Sequence, residues 1–132
     1  MNGTLPAGNL AAFLAIALGA ACGAWLRWGL GLWLNGLHAS VAAGTLAANL
    51  LGGFLVGAGY AWFARHPEID PMWRLLAMTG FLGALTTFST FSIESLQLIQ
   101  RGAFGWALVH SGLHLFGSLA CAALGYRWLA QG

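Results

Sequence analysis

The chain has 132 residues, of which 59% are apolar and only 6% charged, with a formal net charge of +2. A soluble domain carries about 25% charged residues, so this composition describes a small protein dissolved in lipid, with no soluble module. The few basic groups form no patch that would hold phosphates, and no nucleic-acid partner is expected.

Met1 to Asn9 read as a frayed lead-in, polar or small and interrupted by Pro6. From Leu10 to about Leu34 the chain is apolar except for Arg27. At ~1.5 Å per residue this run crosses a hydrocarbon core of ~30 Å with some tilt. It has no basic leader and outlasts the apolar core of a signal peptide, so it reads as a retained span. Ala15, Gly19 and Gly23 make a small-residue face suited to close helix contact. Trp25, Trp28 and Trp33 suit an interfacial belt. Arg27 reads either as a snorkelling side chain or as a structural anchor or vestibule charge. Cys22 here and Cys121 near the end lie in apolar stretches and read as packing residues rather than a disulfide.

Asn35-Gly36-Leu37-His38 is a short turn, and Ser40 to about Ala64 forms a second span without a charge. Gly53 and Gly57 give it a second close-packing face. Asn49 sits near its middle. An amide in hydrocarbon needs partners, because an unsatisfied polar group there costs roughly 2–7 kcal/mol. It is either glue between helices or a donor to a passing ion, since its NH2 offers two protons. Arg65 to Pro71 is a polar connector whose mixed charges form no catalytic set.

A third span covers about residues 73–99. Within it, Gly80-Phe81-Leu82-Gly83-Ala84-Leu85-Thr86-Thr87-Phe88-Ser89-Thr90-Phe91-Ser92 combines glycines, hydroxyls and aromatics, poor material for an unbroken helix. Such a segment in a membrane marks a broken helix or a polar pathway. If the part after Thr86 is helical, Phe88 and Phe91 share a face. Glu94 falls beyond this track and reads as interfacial or paired. The fourth span covers about 104–129, with His110, His114 and Ser118 at four-residue intervals along one face. Two histidines could hold a metal, but zinc takes three or four ligands, and no carboxylate lies near them in the chain. A polar track facing an aqueous vestibule is the reading preferred here.

The stretch from Gly80 to Ser92, with Gly23-Ala24-Trp25-Leu26-Arg27-Trp28 and Gly44-Thr45-Leu46-Ala47-Ala48-Asn49-Leu50-Leu51-Gly52-Gly53-Phe54 in the same order, resembles the Fluc (CrcB) fluoride channel family. The resemblance covers nearly the whole chain. It implies an all-α integral membrane protein: residues 1–132 as one four-helix domain with a broken third helix, assembled as an antiparallel, dual-topology homodimer. It implies passive export of fluoride through two pores at the dimer interface. Pore residues would be Asn49, Phe88, Phe91, Thr45, Ser89, His110, His114 and Ser118, with Arg27 as a structural or vestibule residue. A structural sodium ion would lie at the break, held by the carbonyls of Gly83 and Thr86 from both subunits. The family commonly has a tyrosine at the His110 position and a serine at the His114 position, so donor chemistry differs here. The expected setting is a cell inner membrane or plasma membrane, with lipid and fluoride as the other partners.

The charge distribution permits the dual topology. Arg65, Arg74 and Arg127 fall on one side and Arg101 on the other, with Arg27 added if it snorkels that way, a weak bias. Physically, a conducted anion needs donors to replace its water, and aromatic ring edges present the positive end of the quadrupole. Weak donors suit conduction, since an ion held too firmly cannot leave. The rival readings are a small dual-topology proton-coupled multidrug transporter, which needs a membrane carboxylate in its first span, and a membrane scaffold subunit, which leaves the hydroxyls unexplained. An enzyme would need a nucleophile–base pair or metal cluster, and only the histidine pair comes close.

Overall fold

The structure, a computed structural model, describes residues 7–131; residues 1–6, most of the expected lead-in, fall outside it. All regular structure among the described residues is helical. Four segments are long and apolar enough to cross a membrane: Gly8–Leu34, Ala43–Arg65, Pro71–Gln100 and Phe104–Ala130. The helices are α1 (Ala7–Leu34), α2 (Ala43–Arg65), α3 (residues 71–85), α4 (Phe88–Gln100) and α5 (Phe104–Ala130). Helix α3 takes π-helical turns across Leu75–Leu82, and α5 does so across Leu113–Gly117.

The helix ends follow local chemistry. Asn35 Oδ1 accepts from the Gly44 amide at 2.8 Å, tying the turn to the start of α2. Pro71 opens α3 where its missing N–H is no loss, and Asp70 Oδ1 accepts from the Met72 amide at 2.8 Å. Helix α4 ends at Gly102, which has φ 73° and donates to the Ile99 carbonyl at 2.9 Å. A glycine takes that left-handed position without a Cβ clash.

Only 11% of the most apolar window of α1 is buried. Leu18, Trp25, Trp28, Leu32 and Trp33 all lie exposed. So much exposed apolar surface is compatible with a lipid solvent and not with water. The membrane character therefore rests on the folded surface as well as on composition.

Within the chain, α1 packs along α3, α2 along the second half of α5, and α4 against the start of α5. The glycines make those approaches possible. A Cβ on Gly80 would lie 2.6 Å from the Ile16 carbonyl, and one on Gly53 would lie 2.8 Å from the Ser118 carbonyl. The small-residue faces of α1 and α2, read from sequence as suited to close helix contact, are used within the chain. Gly19 and Gly23 face the backbone of Leu76 and Phe81, and Gly53 and Gly57 face Ser118 and Ala122. Cys22 also differs from its reading as a packing residue, lying exposed on α1.

Candidate functional site

The site is built around the break between α3 and α4. Thr86 leaves the helix with ψ 152°, and Thr87 follows at φ −148° and ψ 124°. Both the Thr86 amide and its Oγ1 donate to the Leu82 carbonyl, at 3.1 and 2.9 Å. A hydroxyl that bonds back four residues competes with the next helical turn. Thr87 then caps α4, its Oγ1 accepting from the Thr90 amide at 3.2 Å.

A broken helix in lipid leaves backbone groups that need partners. Asn49 of α2 supplies two. Its Oδ1 accepts from the Thr87 amide at 2.8 Å and its Nδ2 donates to the Thr87 carbonyl at 3.0 Å. Arg27 supplies a third, its Nε donating to the Ala84 carbonyl at 2.9 Å. Of the two sequence readings for Arg27, the anchor is the one with a bond behind it, and its side chain is partly buried.

The second proton of Asn49 Nδ2 points to His114 Nδ1 at 2.9 Å. Because Thr87 sets the amide's orientation, His114 Nδ1 is the acceptor, and the proton of the neutral ring sits on Nε2. His114 lies in the π-helical turn of α5. A four-residue spacing drifts by about 40° per step around a 3.6-residue helix, and a wider turn offsets that drift. Rings of His110 and His114 thus lie 4.5 Å apart, and Phe91 packs on both at 5.4 and 4.9 Å. Ser118, one step further, donates to the Asn49 carbonyl at 3.5 Å.

Phe88 and Phe91 have ring centroids 5.3 Å apart, as expected for one helix face. They differ in setting: Phe88 is 79% exposed, while Phe91 is partly buried against the histidines. Ser89 is exposed, 3.2 Å from Thr87 Oγ1. Thr45 is buried and donates to Glu94 Oε1 at 2.6 Å. Glu94 Oε2 in turn lies 3.5 Å from His110 Nε2.

Two grooves flank the break. One, of about 470 Å³, is lined by Asn49, Thr86, Thr87, Phe88, Phe91, His114 and Ser118 among mostly apolar neighbours. The other, of about 430 Å³, is lined by Arg27, Thr45, Thr87 and Thr90. Thr87 lines both. Sequence reasoning left Thr87 and Glu94 out of the site. The signal for Thr87 was available as a threonine capping a helix three residues before Thr90. For Glu94 it was the need of a lone intramembrane acid for a partner.

The fold and site define a multi-span helical membrane protein in which an intramembrane helix break is bridged by an amide and flanked by donor-lined grooves. Residues 14–126 match the family described as CrcB-like protein, Camphor Resistance (CrcB). The chain belongs to the CrcB family. It is 58% identical over 120 residues to the "Fluoride-specific ion channel FluC" of Aromatoleum aromaticum, covering 91% of this chain and 92% of the relative. The protein of the same name from Cupriavidus pinatubonensis is 58% identical over 121 residues, 89% of this chain and 96% of the relative. That from Pseudomonas putida is 55% identical over 116 residues, 88% and 91%.

Proposed function

We propose that this chain is a subunit of a passive, fluoride-selective channel that exports cytoplasmic fluoride across a cell inner membrane or plasma membrane. Two chains assemble as an antiparallel, dual-topology homodimer with two pores along the subunit interfaces. The relatives named fluoride-specific ion channels support the ion and the process. No catalytic chemistry is assigned.

The observation that carries the reading is the Asn49 bridge. An amide held at both ends by Thr87 stands beside a groove with its remaining N–H turned to His114 Nδ1, and Phe88 and Phe91 lie along it; a passing anion would take that N–H in exchange for the ring nitrogen. Ring edges offer partial positive charge without a fixed midplane cation, the Ser89 hydroxyl is exposed, and the Asn49 NH2 and the hydroxyls of Thr45 and Ser118 would serve as donors by releasing the acceptors they hold here. The imidazole N–H of His114 adds a donor, and His110 continues the track toward Thr45. A small anion sheds water to such donors one at a time and is not trapped by any of them. Phe88 is mostly uncovered in a single chain. A second chain laid over that face would close the groove into a pore.

The carbonyls of Gly83 and Thr86 fit a structural sodium ion. Neither accepts a hydrogen bond among the described residues, and both residues line the larger groove. Backbone carbonyls are hard oxygen donors suited to a hard cation. Sodium there would supply positive charge that satisfies the break, with the same carbonyls of a second chain completing its ligands.

The deciding experiment is ion efflux from liposomes holding the purified protein. Fluoride efflux with chloride retained is expected. Equal flux of the two ions would sink the reading.

A further inference from the structure

The polar cluster behind Phe91 contains more polar atoms than the bridge at the break uses. Glu94 Oε2, both ring nitrogens of His110, and His114 Nε2 are enclosed and have no hydrogen-bond partner among the described residues. His110 is 0% exposed and His114 is 5% exposed. One ligand atom from each of Glu94, His110 and His114 lies within 4.8 Å of the other two. The Glu94 Oε2 to His110 Nε2 edge is 3.5 Å. Ligand atoms bound at about 2.0–2.1 Å around a tetrahedral zinc stand roughly 3.4 Å apart. One edge is thus at coordination spacing, and the others lie within 4.8 Å.

Buried polar atoms without partners are rare and costly. Here they come from two helices and converge on one point. A carboxylate in the set repels an anion, and lone pairs on oxygen and nitrogen select a cation. Two imidazoles beside one carboxylate suit zinc, copper, nickel or cobalt and not magnesium or calcium. The rings are held in place by packing, since Phe91 lies 18° from parallel to His110. We propose that Glu94, His110 and His114 form a binding site for a divalent transition-metal ion of the zinc class.

The site carries a built-in consequence. In the metal-free arrangement His114 Nδ1 accepts from Asn49 Nδ2, and its proton is on Nε2. A metal bound at Nε2 moves that proton to Nδ1, where it faces the Asn49 N–H. The Asn49–His114 hydrogen bond therefore breaks when metal binds. If Asn49 serves conduction as proposed above, on which this step alone rests, the metal inhibits fluoride flux.

The test uses full-length protein in detergent, carrying no histidine tag and stripped with chelator, titrated with Co²⁺. A visible absorption band of tetrahedral cobalt is expected, saturating at one ion per chain and displaced by Zn²⁺. His110→Gln and His114→Gln should each weaken Co²⁺ binding at least roughly tenfold, the scale on which metal sites respond even to loss of outer-shell partners. The pair His38→Ala with His66→Ala, outside the cluster, should leave it unchanged. Glu94→Gln, close in shape, serves where a histidine variant does not fold, and it too must weaken binding. No saturable signal, or one indifferent to the cluster variants, overturns the site. Fluoride efflux with and without external Zn²⁺, each variant compared with its own metal-free rate, reads the consequence. Cobalt binding with undiminished flux in Zn²⁺ overturns the inhibition. Absence of any fluoride flux defeats the channel reading, while the cobalt titration still decides the site.

Discussion

Asn49 does three jobs with one side chain, and its substitution separates them. Asn49→Asp keeps the acceptor for the Thr87 amide but sets a second oxygen against the Thr87 carbonyl and His114 Nδ1. Leaving those groups without donors should lower stability by about 1–3 kcal/mol. A charged carboxylate would also repel a passing anion by about 4 kcal/mol at ~4 Å and an effective dielectric of about 20. That is nearly a thousandfold at about 1.4 kcal/mol per decade. Fluoride-electrode recordings of liposome efflux should show a loss well beyond tenfold; wild-type flux would defeat the role given to the amide. The two phenylalanines should part company. Phe91→Leu loses its stack on His110 and its tilted contact with His114, together worth about 0.5–1.5 kcal/mol, and should lower both melting temperature and flux. Phe88→Leu, at a side chain 79% exposed in the protomer, should lower flux while leaving protomer stability nearly intact. Thermal unfolding in detergent beside the flux assay distinguishes them.

At the scale of elements, the break between α3 and α4 is held from two other helices. Arg27 of α1 takes the Ala84 carbonyl and Asn49 of α2 takes Thr87. Arg27→Leu should cost about 1.5–3 kcal/mol, the range for a hydrogen bond to a charged donor. Circular dichroism melts should register that loss, and an unchanged melt would mean the Ala84 carbonyl finds another donor. Gly53→Leu tests the packing of α2 on α5. Its Cβ would fall 2.8 Å from the Ser118 carbonyl, a backbone atom that cannot swing away. The expected result is misfolded or aggregated protein on size exclusion, since the contact is inside the chain. A folded monomer that has merely lost its partner would show instead that this glycine face belongs to a subunit interface.

At the scale of the whole molecule, the exposed apolar shell says which solvent surrounds the protein but not which way up it sits. The proposed antiparallel dimer requires both orientations in one membrane. A single cysteine introduced as His66→Cys, in a background without Cys22 and Cys121, should react with an impermeant reagent from both sides of intact membranes. Labelling from one side alone would remove dual topology. Arg27 enters this argument too. Its guanidinium is bonded to the Ala84 carbonyl, so it contributes less to the charge bias than a side chain reaching the headgroups would.

Much of the architecture was legible in the chain because lipid imposes simple rules. Long apolar runs, scarce charge and turn residues at Asn35, Pro67 and Gly102 mark four spans, since backbone groups in hydrocarbon must be satisfied within a helix. The hydroxyl-rich stretch after Gly83 was legible as a break because threonines compete with helical hydrogen bonds. Its register was readable too, placing Phe88 beside Phe91 and His110 beside His114. What the chain could not disclose was which helix meets which. Small-residue faces report that a backbone comes close and carry no label for its owner, so the partners of Gly53 and Gly57 on α5 appear only in three dimensions. The same holds for Glu94. It stands 16 residues from His110 in the chain, yet α4 and α5 pack together and bring its carboxylate to 3.5 Å from the ring. Periodicity acts within a helix, whereas the convergence of a carboxylate and two imidazoles is decided by packing between helices.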